Sequence, residues 1–256
     1  MRAPSNPFGL ASVSSACVLA LFVALLLGNL GHLALTGPGR QPAGAVLTPL
    51  ALSLGAAAAA TGLALVLGVP AAYFLARTTH RAASVLGLLL DLPLVLSPVA
   101  IGTALLLFLH RPPGALLEEW VGFTFRFPGV VLAQFTVVLA VVVRTATAAF
   151  AQANPAWERH AALYGATRRF ILLRVTLPAA KPGLLAALAL AFGRALGEFG
   201  ATVTLAGTIP GRTETVATGI AMALASGELR LAARLSWVLV ATAAIVLLLL
   251  RRWGER

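Results

Sequence analysis

The chain has 256 residues, 59% of them apolar and 11% charged, with a mean hydropathy of +0.94. Soluble domains run at roughly 45–50% apolar and about 25% charged, so a soluble enzyme and a disordered chain are excluded, and a single cysteine excludes a disulfide scaffold. The 19 Lys+Arg against 8 Asp+Glu give +11, but the basic residues lie in short gaps between apolar runs and no basic-aromatic motif accompanies them, which argues for membrane topology and against nucleic acid.

A bilayer core takes roughly 20 mostly apolar helical residues. Six stretches qualify: residues 13–35, 50–76, 86–109, 129–150, 183–206 and 233–250. The first follows Arg2 as a signal peptide would. Its apolar run exceeds the usual length of about 7–15 residues and no clean small-x-small cleavage site follows, so an anchor is expected. Cys17, inside it, reads as a small lipid- or helix-facing residue. In the third stretch, Pro93 and Pro98 should kink or interrupt the helix, baring carbonyls that need a cavity or a neighbour. Such breaks mark transport paths or are simple packing kinks. Arg144 sits near the inner end of the fourth stretch and is expected to snorkel, the alternative being a pair with Asp91.

With the N-terminus (residues 1–12) inside, cytoplasmic segments hold eleven Lys+Arg and outer segments six, with Arg144 and Arg194 within spans. The excess places both termini in the cytoplasm. The cytoplasmic loop at residues 151–182 reads as folded. Asn154-Pro155 is a helix start, Glu158 falls in the first turn where a negative charge suits the dipole, and Gly165 is a stop. Thr167 can cap a second helix through Arg168-Arg169-Phe170 to Val175, and Pro178 and Pro182 should then break the chain before the fifth span. From physics alone the loop either lies on anionic lipid or docks a protein. The small side chains of Ala161 and Ala162 beside Gly165 favour docking.

In the fifth span, Ala189, Gly193, Gly197 and Ala201 repeat every four residues, a stripe on which helices can approach closely. A homodimer would use such a stripe, and so would packing inside one subunit. Arg194 and Glu198 share a face at mid-membrane, where an unpaired Arg costs about 2.5–3.5 kcal/mol. Trp237 and Trp253 bracket the last span, about 24 Å apart at helical rise, as interface anchors.

The run Arg159-His160-Ala161-Ala162-Leu163-Tyr164-Gly165, nine further residues, then Val175-Thr176-Leu177-Pro178 resembles the "EAA" loop of binding-protein-dependent ABC importer permeases. Arg159 stands where that pattern has Glu, His160 where it has Ala, and Glu158 lies one place early. The stretch from Asp91 to Gly102 resembles the third-span signature of molybdate, tungstate and sulfate permeases. Gly193-Arg-Ala-Leu-Gly-Glu-Phe-Gly-Ala-Thr202 with Ala206-Gly-Thr-Ile-Pro-Gly-Arg-Thr213 is similar to the molybdate subgroup.

The resemblance implies an all-α integral membrane protein with six transmembrane helices, its transmembrane domain at residues 13–256, and a coupling helix between spans four and five. Glu158, Arg159, His160, Ala161, Ala162 and Gly165 would meet a separate ATP-binding subunit. Two copies would surround one pathway, fed by an external oxyanion-binding protein. On this reading Arg194 would attract a divalent oxyanion and Glu198 would be its counter-ion near a gate. The rival reading, a buried pair holding the fifth span, is preferred because a carboxylate in an anion path repels its cargo. Ser97, Thr103, Thr202 and Thr204 could offer hydroxyls to an oxyanion, though most membrane Ser and Thr bond their own helix.

The four histidines have no metal-ligand spacing, and the only lysine, Lys181, follows Ala180 and not the Gly of a P-loop. No catalytic group, metal or cofactor is therefore expected on this chain, with ATP and Mg residing on the partner. The expected role is inner-membrane permease for molybdate or tungstate. A sulfate/thiosulfate permease and an ion-gradient-driven transporter are the alternatives. Only Glu198 is a deeply placed carboxylate and no internal repeat is visible, which argues against the latter.

Overall fold

The computed structural model describes residues 9–35, 44–78 and 80–254, so most of the expected cytoplasmic N-terminus at 1–12 lies outside the described residues. Among the described residues all regular structure is helical. Helix is the form in which a chain of this composition can satisfy every backbone group without water.

The first two helices are α1 (Gly9–Leu35) and α2 (Gly44–Arg77). At 34 residues α2 is about 51 Å long, so its ends project beyond a hydrocarbon core of about 30 Å. Next come α3 (Arg81–Val95) and α4 (Pro98–Leu109), bent 114° from one another. Pro98 makes the break. It opens α4, and it holds Ser97 extended because the residue before a proline is kept out of the helical region. Pro93 stays inside α3 without ending it.

A short helix, α5 (Gly114–Val121), leads to α6 (Phe127–Gln152). Asp91 of α3 pairs with Arg144 in the C-terminal half of α6, whereas Ile101 and Leu109 of α4 share a core with Ala133 and Val137 in its N-terminal half. The bent pair therefore climbs α6 as one broken crossing, which brings the candidate crossings among the described residues to six.

The loop expected on the cytoplasmic side forms α7 (Pro155–Leu163) and α8 (Arg168–Ile171), which continues through a π turn at Leu172–Thr176 into α9 (Leu177–Leu196). Pro178 and Pro182 thus do not break the chain as expected. Pro178 lacks the N–H that would serve the Arg174 carbonyl, and the widened turn just before it absorbs the mismatch. The break comes later, at residues 197–199, before α10 (Gly200–Ala206). Then α11 (Val216–Ala225), which sequence periodicity did not announce, precedes α12 (Leu229–Gly254).

The core lies where α2, α6 and α9 meet, and small residues make it possible. Ala57 and Ala64 of α2 pack with Val138 and Val142 of α6 and with Ala191 and Ala195 of α9. A Cβ added at Gly68 would meet Val142 at 3.0 Å, and one at Gly183 would sit 2.3 Å from the Ala149 Cβ. The α1 helix lies outside this core against α12. There Trp237 touches Gly31, and the Arg234 Nε donates to the Ala34 carbonyl at 3.1 Å. Trp237, expected as an interface anchor, is thus a packing residue, and the side chain of Trp253 lies outside the described residues.

Candidate functional site

The end of the molecule that carries α7 is organised by one carboxylate. Asn154 caps α7 by accepting the Ala156 N–H at 2.9 Å, and Pro155 opens the helix, which places Glu158 in its first turn. Glu158 Oε1 accepts hydrogen bonds from Arg77 Nη2 at 2.6 Å, Arg77 Nε at 3.0 Å and Thr176 Oγ1 at 3.0 Å. Its Oε2 accepts from the Tyr73 hydroxyl at 3.2 Å.

The same Arg77 guanidinium donates to the carbonyls of Phe150 at 3.0 Å and Ala153 at 3.2 Å, which the end of α6 leaves without helical partners. One Arg–Glu pair thereby joins the C-terminal ends of α2 and α6 to α7 and, through Thr176, to the root of α9. Burial alone would push the Glu158 carboxyl up. The hydrogen bonds from Arg77, Thr176 and Tyr73, with the Arg77 charge, outweigh it and hold the group below its ordinary value.

This moves Glu158 out of the group expected to meet a partner. Its side chain is 17% exposed and turned back into its own subunit because Arg77 lies within reach. What α7 presents outward is Arg159, His160 and Ala162, with Ala161 half-buried and Gly165 exposed at φ +80° where a residue with a Cβ is strained. Trp157, Leu163 and Tyr164 are exposed beside them, Tyr164 at 91%. Sequence reasoning missed Arg77, Tyr73 and Thr176. The usable signal was that Glu158 is the single acid in a loop holding five Lys+Arg and must therefore find a cation.

A second constellation lies where two helices break. A Cβ on Gly200 would meet Pro98 at 3.0 Å and Val99 at 3.1 Å, so the start of α10 abuts the start of α4. Arg194 Nη1 donates to Glu198 Oε2 at 2.5 Å, while Glu198 Oε1 accepts the Ala201 N–H at 3.0 Å. Glu198 is 1% exposed, so the carboxylate both neutralises Arg194 and supplies an acceptor that the first turn of α10 lacks. Of the expected hydroxyl donors, Thr204 bonds the Gly200 carbonyl at 2.7 Å and Thr103 the Val99 carbonyl at 2.9 Å, each within its own helix. Thr202 is buried with no hydrogen-bond partner, and Ser97 stands exposed at the break.

Two expectations need correction. The stripe Ala189, Gly193, Gly197, Ala201 is not one continuous face. Gly197 ends α9, and Ala201, on the far side of the break, is buried against Gly102 of α4. Core packing instead uses Ala187, Ala191 and Ala195, and a Cβ on Gly193 would meet nothing within 4 Å. The second correction is Arg144, which pairs with Asp91 at 3.1 Å because α3 packs against α6 at that height, although its side chain stays 72% exposed.

A family model for the binding-protein-dependent transport system inner membrane component matches residues 64–252. The chain belongs to that family. Among its relatives is the molybdenum transport system permease protein ModB of Escherichia coli K12, 36% identical over 80% of this chain and 91% of that protein. ModB of Mycobacterium tuberculosis is 42% identical over 78% of this chain and 77% of its own length. Among solved structures, a bacterial ABC transporter that imports the acidic polysaccharide alginate matches with TM-score 0.69 at 18% identity, covering 97% of both chains. The MetNI methionine ABC transporter in inward-facing conformations matches with TM-score 0.61 at 14% identity, over 82% of this chain and 93% of that one. These two likenesses establish the permease fold. The helix breaks, the latch and the exposed α7 described above are thus features of an inner-membrane transport component.

Proposed function

We propose that this chain is the membrane subunit of an ABC importer that passes molybdate into the cytoplasm. The observation that carries the reading is a short exposed helix, α7, fastened by a charged latch to the inner ends of the core helices of a chain whose relatives are molybdenum permeases. The ATP-binding subunit would seat α7 through Arg159, His160, Ala161, Ala162 and Gly165, with ATP and Mg held on that partner.

A push on α7 reaches α2 through Arg77 and α9 through Thr176. Both are packed on α6 by alanines and glycines, so they move as a lever. The rigid stretch ends at residues 197–199 beside the α4 break, and there the lever works a gate. Two copies around one pathway, with both termini cytoplasmic, would turn outward to a loaded binding protein when the ATP subunits close, and inward after hydrolysis. Ser97, Thr202 and Thr204 border the breaks. The Arg194–Glu198 pair maintains the gate's shape and binds no cargo.

The test is uptake in a bacterial strain whose own molybdate permease is deleted, with this chain supplied alongside its ATPase and binding protein. Restored molybdate uptake that stops on ATP depletion and withstands collapse of the proton gradient is the expected result. Uptake of sulfate that molybdate does not compete with would reassign the cargo. Persistence of uptake without ATP would overturn the ABC mechanism.

A further inference from the structure

Three helices that pack together carry buried polar atoms with no hydrogen-bond partner among the described residues: the hydroxyl of Thr61 on α2, both amide atoms of Gln134 on α6 and the hydroxyl of Thr202 on α10. Thr61 and Gln134 are 1% exposed and Thr202 is 0% exposed. Other threonines of the bundle behave differently. Thr103, Thr136 and Thr204 each turn the hydroxyl back onto the carbonyl four residues earlier. Thr61 and Thr202 forgo that bond, and a buried polar group left unmet bears its full desolvation cost.

Packing brings the three side chains to one level. Ala56 of α2, Val130 of α6 and Ala206 of α10 form a single buried cluster. The α2 helix runs beside α6 in the same direction, since Gly55 faces Phe127 and Gly68 faces Val142. The α10 helix runs against α6, with Ala206 beside Gly129 and Ala201 clustered with Val137. One turn deeper along each helix, on the face that the cluster occupies, stand Ala60, Gln134 and Thr202. Thr61 adjoins Ala60, and Ala57 and Ala64, one turn to either side of it, pack with Val138, one turn past Gln134. The alanines contribute only methyl groups at this level, and a threonine hydroxyl reaches a single atom beyond Cβ, too short to meet its counterpart on another helix.

The chemistry of the set decides the ligand. The amide offers donors and an acceptor, and each hydroxyl offers both. An ion of either sign would use one half of that set, and the nearby Glu198 carboxylate is already neutralised by Arg194. Water, with two hydrogens and two lone pairs, meets all of it. We infer that Thr61, Gln134 and Thr202 hold bound water between α2, α6 and α10 as a fixed part of the fold. On the gate reading proposed above, this water lets α10 tilt at the break by passing from one partner to another, where a direct side-chain bond would have to break. That consequence rests on the importer function, whereas the site itself does not.

The test is X-ray hydroxyl-radical footprinting of the full-length chain in nanodiscs, read residue by residue by mass spectrometry. Bound water ionised in place oxidises the side chains that touch it, even where bulk solvent has no access. Val130 and Val138, one turn to either side of Gln134, are 1% and 0% exposed, and Val142 and Val143, further along α6, are 0% and 2% exposed. Oxidation of Val130 and Val138 should exceed that of Val142 and Val143 about tenfold or more. In Gln134→Met/Thr61→Val/Thr202→Val, which replaces every polar partner by an apolar group of similar shape, it should fall to the level of Val142. Wild-type labelling of Val130 and Val138 no greater than that of Val142 and Val143 overturns the inference, and leaves the three side chains to bond one another. Labelling that persists in the triple variant also overturns it, because the water would then be a leak from the break and not a ligand of these groups. The measurement needs no ATPase, binding protein or cargo, so its failure leaves the importer reading standing, and a failure of uptake leaves the water site standing.

Discussion

Glu158→Gln removes one charge from the latch at almost constant volume. The native carboxylate accepts four hydrogen bonds, two from Arg77 and one each from Thr176 and Tyr73. The amide retains one acceptor oxygen and places an NH2 group opposite donors. Charge-assisted hydrogen bonds contribute about 1.5–3 kcal/mol each, non-additively, and Arg77 keeps its two carbonyl acceptors, so the net loss in docking of α7 should be about 2–3 kcal/mol. That corresponds to a rise of about thirty- to 160-fold in the undocked fraction.

Hydrogen exchange of the amides at residues 156–165, followed by mass spectrometry in nanodiscs, reads this ratio directly. The exchange should accelerate by that factor in Glu158→Gln and in Arg77→Gln, and by no more in the double variant, because one pair is being broken in each case. Equal protection in wild type and Glu158→Gln, or full additivity in the double variant, would refute the latch.

Acid should do the same to the wild type. The Glu158 carboxyl is held below its ordinary value, so its stabilisation is complete above that value and disappears as pH falls through the lower, folded-state one. Protection of the α7 amides should therefore be flat from neutral pH down to about 4.5 and fall below it, and a loss already complete well above that range would refute Glu158 as the group responsible. Gly165→Asp forces a side chain onto φ +80° at the tip that the ATPase subunit would cover. Membrane insertion should be normal and co-purification of the ATPase lost, and normal co-purification defeats the assignment of α7. Glu198→Gln strands Arg194 and should cost about 3 kcal/mol in resistance to denaturant, the low end for a broken buried pair since Arg194 is partly exposed. An altered anion preference with normal stability would instead make the pair part of the pathway. Gly183→Val pushes against Ala149 across the α6–α9 contact and should destabilise by about 1–3 kcal/mol in the same assay, where an unchanged midpoint would show that α6 and α9 part freely.

Crossings and caps were legible in the sequence because each depends on neighbours in the chain. Apolar length gave the six spans, and Asn154, Gly165 and Thr167 gave the ends of the cytoplasmic helices. The Ser97-Pro98 break was equally local. What sequence could not supply was anything set by helix rotation or by pairing across tens of residues. Arg77 and Glu158 are 81 positions apart, and Asp91 and Arg144 are 53 apart. The glycine and alanine stripe failed for a related reason. Periodicity assumes an unbroken helix, and Glu198 captures the Ala201 amide, anchoring the separate start of α10 three residues on.

The π turn at Leu172–Thr176 has a mechanical consequence of its own. It holds one residue more than an α-helical path would, and Leu177 N–H accordingly reaches back five places to the Leu172 carbonyl. Each residue in a helix is worth about 100° of azimuth. The turn therefore works like a vernier between the cytoplasmic corner and the shaft that enters the bilayer. Closing it by a single-residue deletion would swing Arg168, Arg169 and the whole of α7 about a third of a revolution around α9, leaving every helix intact and the two ends of the molecule out of phase.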